Sequence, residues 1–246
     1  MPATQYKIWA VGGPVGVGAT HSLHVGIAGI AKAASADLPY VVANELLCSL
    51  LARSILLPGP PGFIIEHNAR SHYVSLNFLL AGEDLPPSDT EALVAAHPTI
   101  ASAIVLFDIW IVNDDRHASN IAFDVDSNRI HVFDHSHAFF ADGPNRLTAV
   151  TNNLGIGDHC LASRLPSIDG MLEWNERIRQ VPEFFIRECV QAASEVGLPA
   201  DQVEFCSTFL LERRRRLMQL VYDHRTSFPL VDAGAWGQLN TAGEPS

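Results

Sequence analysis

The stretch IVNDDRHASNIAFDV, residues 111–125, decides the fold, together with VFDHSH at residues 132–137. Three oxygen-bearing side chains in these segments have a distinctive spacing: Asn120 lies five residues after Asp115, and Asp134 lies fourteen residues after Asn120. Carboxylate and amide oxygens suit Mg²⁺, and a carboxylate that holds no metal can take a proton from a hydroxyl group. Phosphoryl transfer needs this combination, because the enzyme mainly positions groups and supplies cations. The spacing therefore predicts a phosphotransferase that uses ATP and Mg²⁺.

The segments on either side of this loop fit such a site. Residues 98–112, PTIASAIVLFDIWIV, begin with proline and are apolar on nearly all sides, which predicts a buried helix. The runs IAFD and RIHVF flank the turn-rich VDSN and predict a hairpin that ends at Asp134. Helix, loop and hairpin in this order would bring the three side chains to one cleft.

The string NDDRHASN, residues 113–120, and the later FDH resemble the catalytic and metal-binding segments of HipA-like kinases. They also resemble, more distantly, the D-R-H-x-x-N loop of phosphatidylinositol kinases. The resemblance implies an α+β, two-lobed, protein-kinase-like fold, with a small β-rich N-lobe that holds one helix and a larger, mainly helical C-lobe. It further implies that Asp115 is the catalytic base and that Asn120 and Asp134 are the magnesium ligands.

Two neighbours of Asp115 in the loop also receive roles from this resemblance. Arg116 and His117 would orient the catalytic aspartate or contact phosphate. Asp114 is a competing candidate for the base, but the five-residue spacing to Asn120 favours Asp115.

An ion pair between a strand lysine and a helix glutamate aligns the nucleotide phosphates in kinases. Residues 30–52, IAKAASADLPYVVANELLCSLLA, resemble the corresponding segment of HipA-like kinases, with Lys32 at the end of a predicted strand and Glu45 in a predicted helix from Pro39 to Arg53. Lys7 is the only other lysine of the chain, which favours Lys32 as the phosphate contact. A solvated lysine at a strand end is the alternative.

A glycine-rich segment, GGPVGVGATHS at residues 12–22, follows a predicted strand at Tyr6–Val11. Its backbone N–H groups, near Gly16 and Gly18, could approach nucleotide phosphates. The segment matches neither of the common phosphate-binding glycine patterns, so a simple flexible turn is an equal alternative.

Composition limits the possible partners. With 246 residues, 48% of them hydrophobic, the chain can bury a full core, and its net charge of −11 disfavours binding to nucleic acid or to an anionic membrane. ATP and a hydroxyl acceptor are the expected partners, and the resemblance favours a protein Ser or Thr. No targeting or membrane-spanning segment is evident, and the four cysteines lack paired spacing, so a cytoplasmic location with reduced cysteines is expected.

The predicted organisation is a nucleotide-binding N-lobe at residues 1–80, a C-lobe with the catalytic loop and metal site at 81–228, and a flexible tail at 229–246. Residues 135–166 occupy the place of an activation or substrate loop. Arg213–Arg216 are expected to be mainly solvated. Further helices are predicted near 170–180, 182–196 and 200–224.

Two other functions compete with the kinase. A group of histidines could instead build a transition-metal hydrolase site with Asp134, although no two-histidine helix motif is present. A kinase-like fold could also serve as a non-catalytic binding module. Two features differ from those of better-known kinases. The Asp134 segment reads D-H-S-H where typical protein kinases have D-F-G, and the chain is short for a HipA toxin, so toxin biology is not expected to carry over. The histidines considered for the transition-metal site are His117, His131, His135, His137 and His159.

Overall fold

The computed structural model describes residues 8–16, 22–78, 87–125, 128–141, 143 and 145–237. Small antiparallel sheets and α-helices alternate along this part of the chain. The strands are β1 (Ile8–Pro14), β2 (Leu23–Ile27), β3 (Gly29–Ala33), β4 (Gly62–His67), β5 (Arg70–Leu76), β6 (Ile121–Asp124) and β7 (Arg129–Val132). The helices are α1 (Val41–Ser54), α2 (Thr90–Ala96), α3 (Pro98–Ile111), α4 (Arg146–Ala149), α5 (Asp169–Gln180), α6 (Glu183–Ser194) and α7 (Val203–Asp223).

The N-terminal layer is a three-stranded sheet in the order β3–β5–β4, and β1 pairs separately with β2. Lys32 on β3 lies opposite Tyr73 on β5. Val41 and Val42 of α1 pack in one apolar cluster with Tyr73. A β-carbon at Gly62 would lie only 2.0 Å from the Tyr73 hydroxyl, so glycine leaves the space that the buried Tyr73 ring occupies. This packing fixes α1 against the strand that carries Lys32.

The central helix α3 is buried as its sequence predicts. Proline occupies its first turn, and every residue from Ala101 to Ile111 is buried. The helix ends at Val112, a β-branched residue with φ of 58°, in the left-handed region where such residues are rare. The surrounding core therefore holds the chain in a sharp turn at the start of the predicted catalytic loop.

The predicted hairpin is also present. Strands β6 and β7 pair antiparallel, with Ile121 opposite Val132, and a short 3-10 turn at Ala118–Asn120 precedes them. Asp134 lies two residues after the end of β7 and adopts φ of 60°. The hairpin therefore places the end of the loop and Asp134 at the same edge of the C-terminal part of the chain.

The helices α5 and α7 pack against α3, and α6 packs against α1 and α7; all of them contribute to the main core. The indole N–H of Trp110 on α3 donates to the carbonyl of Leu210 on α7. The expectation of a mainly solvated Arg213 is wrong: only 3% of this residue is exposed, whereas Arg215 and Arg216 are exposed. One position per helical turn faces the core, and in this run of four arginines that position is Arg213.

The predicted flexible tail needs a correction at its beginning. Val231 and Trp236 are buried in the main core, and the rings of Trp236 and Phe228 lie 6.2 Å apart. Apolar side chains therefore fix this segment at least as far as Trp236. The rest of the predicted tail, residues 238–246, lies outside the described residues.

No single helix in the described ranges is long and apolar enough to cross a membrane. The helices α2 and α3 meet the length and composition test only as a pair bent by 115°.

Candidate active site

Lys32 and Glu45 form a direct ion pair at the base of the site. The Lys32 Nζ atom lies 2.5 Å from Glu45 Oε1, and the packing of α1 against the sheet brings the two side chains together. Burial raises the pKa of Glu45 above its usual value, against the opposing effect of Lys32. Burial also opposes the charge on Lys32, but Glu45 and Asp134 together raise the pKa of Lys32, so this lysine stays protonated.

Asp134 shares the same lysine. Its Oδ1 atom lies 2.6 Å from Lys32 Nζ, and 36% of its side chain is exposed. Partial burial disfavours the charged form, but Lys32 and hydrogen bonds from Ser136 lower the pKa of Asp134 to about 2. Asp134 is therefore ionised at neutral pH. A cavity of about 150 Å³ has Lys32, Glu45 and Asp134 in its wall.

Backbone and amide groups hold the segment that follows Asp134 against α1. The backbone N–H of His135 donates to Glu45 Oε1 over 3.1 Å, and the side-chain amide of Asn44 donates to the carbonyls of Ser136 and Ala138. These bonds are buried and fix the geometry between helix α1 and the residues around Asp134.

The predicted catalytic loop is anchored from inside the protein. Arg116 is 1% exposed, and its Nε and Nη2 atoms lie 2.8 and 3.0 Å from the two carboxylate oxygens of Asp108 on α3. Burial opposes the charge of Asp108, but Arg116 and a hydrogen bond from His159 hold its pKa below the usual range. His159 accepts the N–H of Leu161 at Nδ1, so its Nε2 carries the proton that it donates to Asp108.

The same arginine joins the loop to the hairpin. Arg116 Nη1 donates to the carbonyls of Asn120, over 3.0 Å, and Phe133, over 2.6 Å. The backbone N–H of Phe133 also donates to the Asn120 carbonyl. Asn120 and Asp134 therefore lie at adjacent ends of the two strands. Arg116 faces the protein interior, so it positions the loop rather than lying open to phosphate.

Asn120 connects directly to Asp115. Its side-chain Nδ2 donates to the Asp115 backbone carbonyl over 3.0 Å, and only 6% of Asn120 is exposed. Within the described residues, no hydrogen bond to Asn120 Oδ1 or to Asp134 Oδ2 is seen. Hydrogen bonds through the Asp115 and Asn120 backbone carbonyls thus connect the segments that carry the three predicted residues. One side-chain oxygen of Asn120 and one of Asp134 have no hydrogen bond within the described residues.

The two candidate bases, Asp114 and Asp115, have different partners. The carboxylate of Asp114 lies 2.7 Å from Arg146 Nη2, and Arg146 is buried and also donates to the carbonyls of Val112 and His137. Both carboxylates are partly exposed, Asp114 to 39% and Asp115 to 48% of the side chain. Asp115 has no arginine partner among the described residues; His117 and His137 lie nearest, with Nε2 atoms 3.9 and 3.8 Å from Asp115 Oδ2. The carboxylate of Asp114 is therefore held by a buried arginine, whereas that of Asp115 is not.

The histidines considered for a transition-metal site lie in separate environments. His131 stacks against Phe78, with ring centroids 4.3 Å apart, and His159 is paired with Asp108 inside the core. Among the described residues, no group of three His, Cys, Asp or Glu side chains is arranged to hold a metal ion. The rival hydrolase reading gains no support from this arrangement.

Of the two glycines proposed to approach phosphate, Gly16 follows β1 and adopts φ of 74°, in the left-handed region that favours glycine. Gly18 lies outside the described residues. No described contact links Gly16 to the Lys32 pair.

Sequence reasoning missed several residues that shape the site. Asp108 gave the clearest signal, because a carboxylate in an otherwise apolar buried helix requires a buried partner. Arg146 and Asn44 gave no comparable signal, since their partners are mainly backbone carbonyls.

Comparison with solved structures identifies the fold class. The chain has the two-lobed, kinase-like α+β fold predicted from its sequence. A crystal structure of the Helicobacter pylori proinflammatory kinase CtkA matches it with a TM-score of 0.59 at 12% identity, over 88% of this chain and 95% of that one. A complex of Shewanella oneidensis HipA with HipB and operator DNA matches with a TM-score of 0.44 at 15% identity, over 81% of this chain and 61% of that one.

A family model matches part of the sequence. Residues 30–149 match the family model of HipA-like kinases, which confirms the predicted resemblance over this segment. The segment begins at β3 and ends with α4, so it includes Lys32, Glu45 and the whole catalytic loop through Asp134. No curated protein is significantly similar in sequence. The family match and the fold together support a kinase.

Proposed function

We propose that the chain is an ATP- and magnesium-dependent kinase that transfers the γ-phosphoryl group to a hydroxyl acceptor, preferably a Ser or Thr side chain of a protein. One observation carries the proposal: the backbone carbonyl of Asp115 is joined through Asn120 and Arg116 to the segment that carries Asp134, and Asp134 contacts Lys32 of the Lys32–Glu45 pair. The preference for a protein acceptor rests on the family resemblance alone.

Asn120 and Asp134 are the residues that would hold Mg²⁺. The low pKa of Asp134, about 2, keeps its carboxylate ionised, and its Oδ2 atom has no partner within the described part of the chain. The amide nitrogen of Asn120 is already used by the Asp115 carbonyl, so its oxygen Oδ1 is the free donor. Both are hard oxygen ligands, which suit Mg²⁺. Bound Mg²⁺ would neutralise charge on the phosphate oxygens.

Lys32 would contact the nucleotide phosphates. Its ammonium group has three N–H donors, which now face Glu45, Asp134 and Ser136. Glu45 is almost fully buried and is held by the backbone N–H of His135, so it keeps Lys32 in place when a phosphate oxygen replaces another partner. We further propose that the backbone near Gly16 and Gly18 covers the phosphates.

Asp115 would act as the base. It orients the acceptor hydroxyl and takes its proton as the acceptor oxygen bonds to the γ-phosphorus and the bond to ADP breaks. Arg116 would hold the loop in position from the protein interior. His117 and His137 flank the carboxylate on the solvent side, where they would contact the acceptor or its phosphoryl group.

Calorimetric binding of a non-hydrolysable ATP analogue, with and without Mg²⁺, tests the nucleotide site. We expect magnesium-dependent binding that weakens at least about tenfold in Lys32→Ala, because a charge-assisted hydrogen bond to phosphate is lost. Arg187→Ala, an exposed cation on α6, is the matched control and should bind like the native protein. Absence of magnesium-dependent binding in the native protein would contradict the proposal, and binding without turnover would leave a non-catalytic module.

A further inference from the structure

The hydroxyl group of Ser136 lies at the junction of the two halves of the site. Its Oγ atom lies 3.0 Å from Lys32 Nζ, 3.0 Å from Glu45 Oε1 and 2.8 Å from Asp134 Oδ1. Ser136 is 6% exposed, and Asn44 holds its carbonyl. One small buried group therefore contacts the lysine, its glutamate partner and the proposed metal ligand.

Counting protons shows that these contacts cannot all be donated by Ser136. A hydroxyl group has one proton and two lone pairs, whereas a lysine ammonium group only donates. Ser136 therefore accepts from Lys32 and donates its proton to one carboxylate at a time. The two carboxylates that compete for this proton are Glu45 and Asp134.

We propose that Ser136 is a positioning residue that couples metal binding at Asp134 to the Lys32–Glu45 pair. This inference rests on the proposed kinase function. Without a cation, the Ser136 proton stabilises Asp134, which also receives a hydrogen bond from Lys32. If Asp134 bound a cation, the Ser136 hydroxyl would donate its hydrogen bond to Glu45 instead. Glu45 is the only other carboxylate within reach among the described residues.

This exchange has a consequence for nucleotide binding. With the Ser136 hydroxyl donating to Glu45, Lys32 could exchange Asp134 for a phosphate oxygen and keep its contact with Glu45, because the cation would balance the charge of Asp134. Mg²⁺ therefore improves nucleotide affinity partly through Ser136. By thermodynamic linkage, nucleotide improves Mg²⁺ affinity by the same factor.

The substitution Ser136→Ala tests the coupling, because it removes the hydroxyl proton and little side-chain volume. Calorimetry gives the dissociation constant of a non-hydrolysable ATP analogue with and without Mg²⁺, and the ratio of the two constants measures the coupling. We expect this ratio to fall about tenfold in Ser136→Ala, the size of one hydrogen bond to a charged group. Ser136→Thr, which keeps a hydroxyl group, should restore most of the ratio.

Ser54→Ala is the matched control, because Ser54 lies on α1 and donates to the Leu51 carbonyl, away from the site. It should keep the native ratio. An unchanged ratio in Ser136→Ala, with native binding still magnesium-dependent, would overturn the role of Ser136 alone. A native protein that shows no magnesium-dependent binding would overturn the proposed function and this inference together. Thermal unfolding of both alanine variants, measured in parallel, identifies any general loss of structure.

Discussion

Arg116 and Asp108 form a two-point ion pair that is entirely closed to solvent, with N–O distances of 2.8 and 3.0 Å. The pair connects the last turn of helix α3 to the loop that carries Asp115 and Asn120. Because Arg116 also donates to the carbonyls of Asn120 and Phe133, one buried side chain fixes both the loop and the start of the Asp134 segment. The position of the proposed chemistry therefore depends on a pair that never contacts substrate.

Replacing Asp108 by Asn should destabilise the protein strongly. It leaves the Arg116 charge buried without its counter-ion, a change that costs about 3–5 kcal/mol in other proteins. Urea-induced unfolding measures the effect. Arg164→Ala removes an exposed pair with Glu91 and should cost less than about 1 kcal/mol. A loss in Asp108→Asn no larger than that of the control would show that the buried pair does not anchor the loop.

Arg213 should be the one arginine of its run that stability depends on. Its guanidinium donates to the carbonyls of Ile109, Val150, Asn153 and Leu154, and burial lowers the pKa of Arg213 to about 10. Arg213→Ala leaves these carbonyls without their donor, so we expect a loss of about 3 kcal/mol or more in unfolding free energy. Arg215→Ala, two residues along the same helix but exposed, should change it by less than about 0.5 kcal/mol. Similar values for the two variants would contradict the packing of α7 described above.

The two neighbouring aspartates should behave differently in catalysis. Asp115→Asn should lower the rate of phosphoryl transfer by about 10²–10⁴-fold and leave nucleotide affinity nearly native, because it removes only the proton acceptor. Asp114→Asn should have a much smaller effect on the rate, since its carboxylate faces Arg146. Single-turnover rates with saturating nucleotide separate binding from chemistry. A larger rate loss in Asp114→Asn would reverse the assignment of the base.

Buried His131 should make the fold sensitive to mild acid. Burial, reinforced by the charge of Arg129, lowers the pKa of His131 to about 4 from a reference value of 6.5. The unfolded chain therefore binds the proton first as the pH falls, and stability present above pH 6.5 is lost progressively towards pH 4. The expected slope from this group is up to about 1.4 kcal/mol per pH unit.

His131→Phe keeps the ring contact with Phe78 and removes the titrating group. Unfolding free energies at pH 7 and pH 5 should differ less in this variant than in the native protein. His97→Phe is the control, because His97 is only partly buried and lies next to Asn128 near the surface. Equal pH dependence in native protein and His131→Phe would exclude His131 as the source.

The sequence predicted the helix and the hairpin on either side of the candidate site, because each is formed by contacts between residues that are close in the chain. The apolar run of α3, the pairing of β6 with β7 and the spacing from Asp115 to Asn120 all depend on near neighbours in the chain. Contacts between distant segments were harder to predict, such as the Ser136 hydroxyl between Lys32 and Asp134, because serine is common in loops for many reasons. In the run Arg213–Arg216, composition alone does not reveal which residue faces inward, since that depends on the angle at which α7 packs.

Magnesium-dependent turnover of radiolabelled ATP tests the central claim most directly, with the native protein compared to Asp115→Ala and Asp134→Ala. The account predicts label transfer or ATP hydrolysis by the native protein and loss of both in each variant. It also predicts that Asp115→Ala still binds nucleotide in the presence of Mg²⁺. A native protein that neither turns over ATP nor binds it with magnesium, or an Asp115→Ala variant with native turnover, would contradict the account.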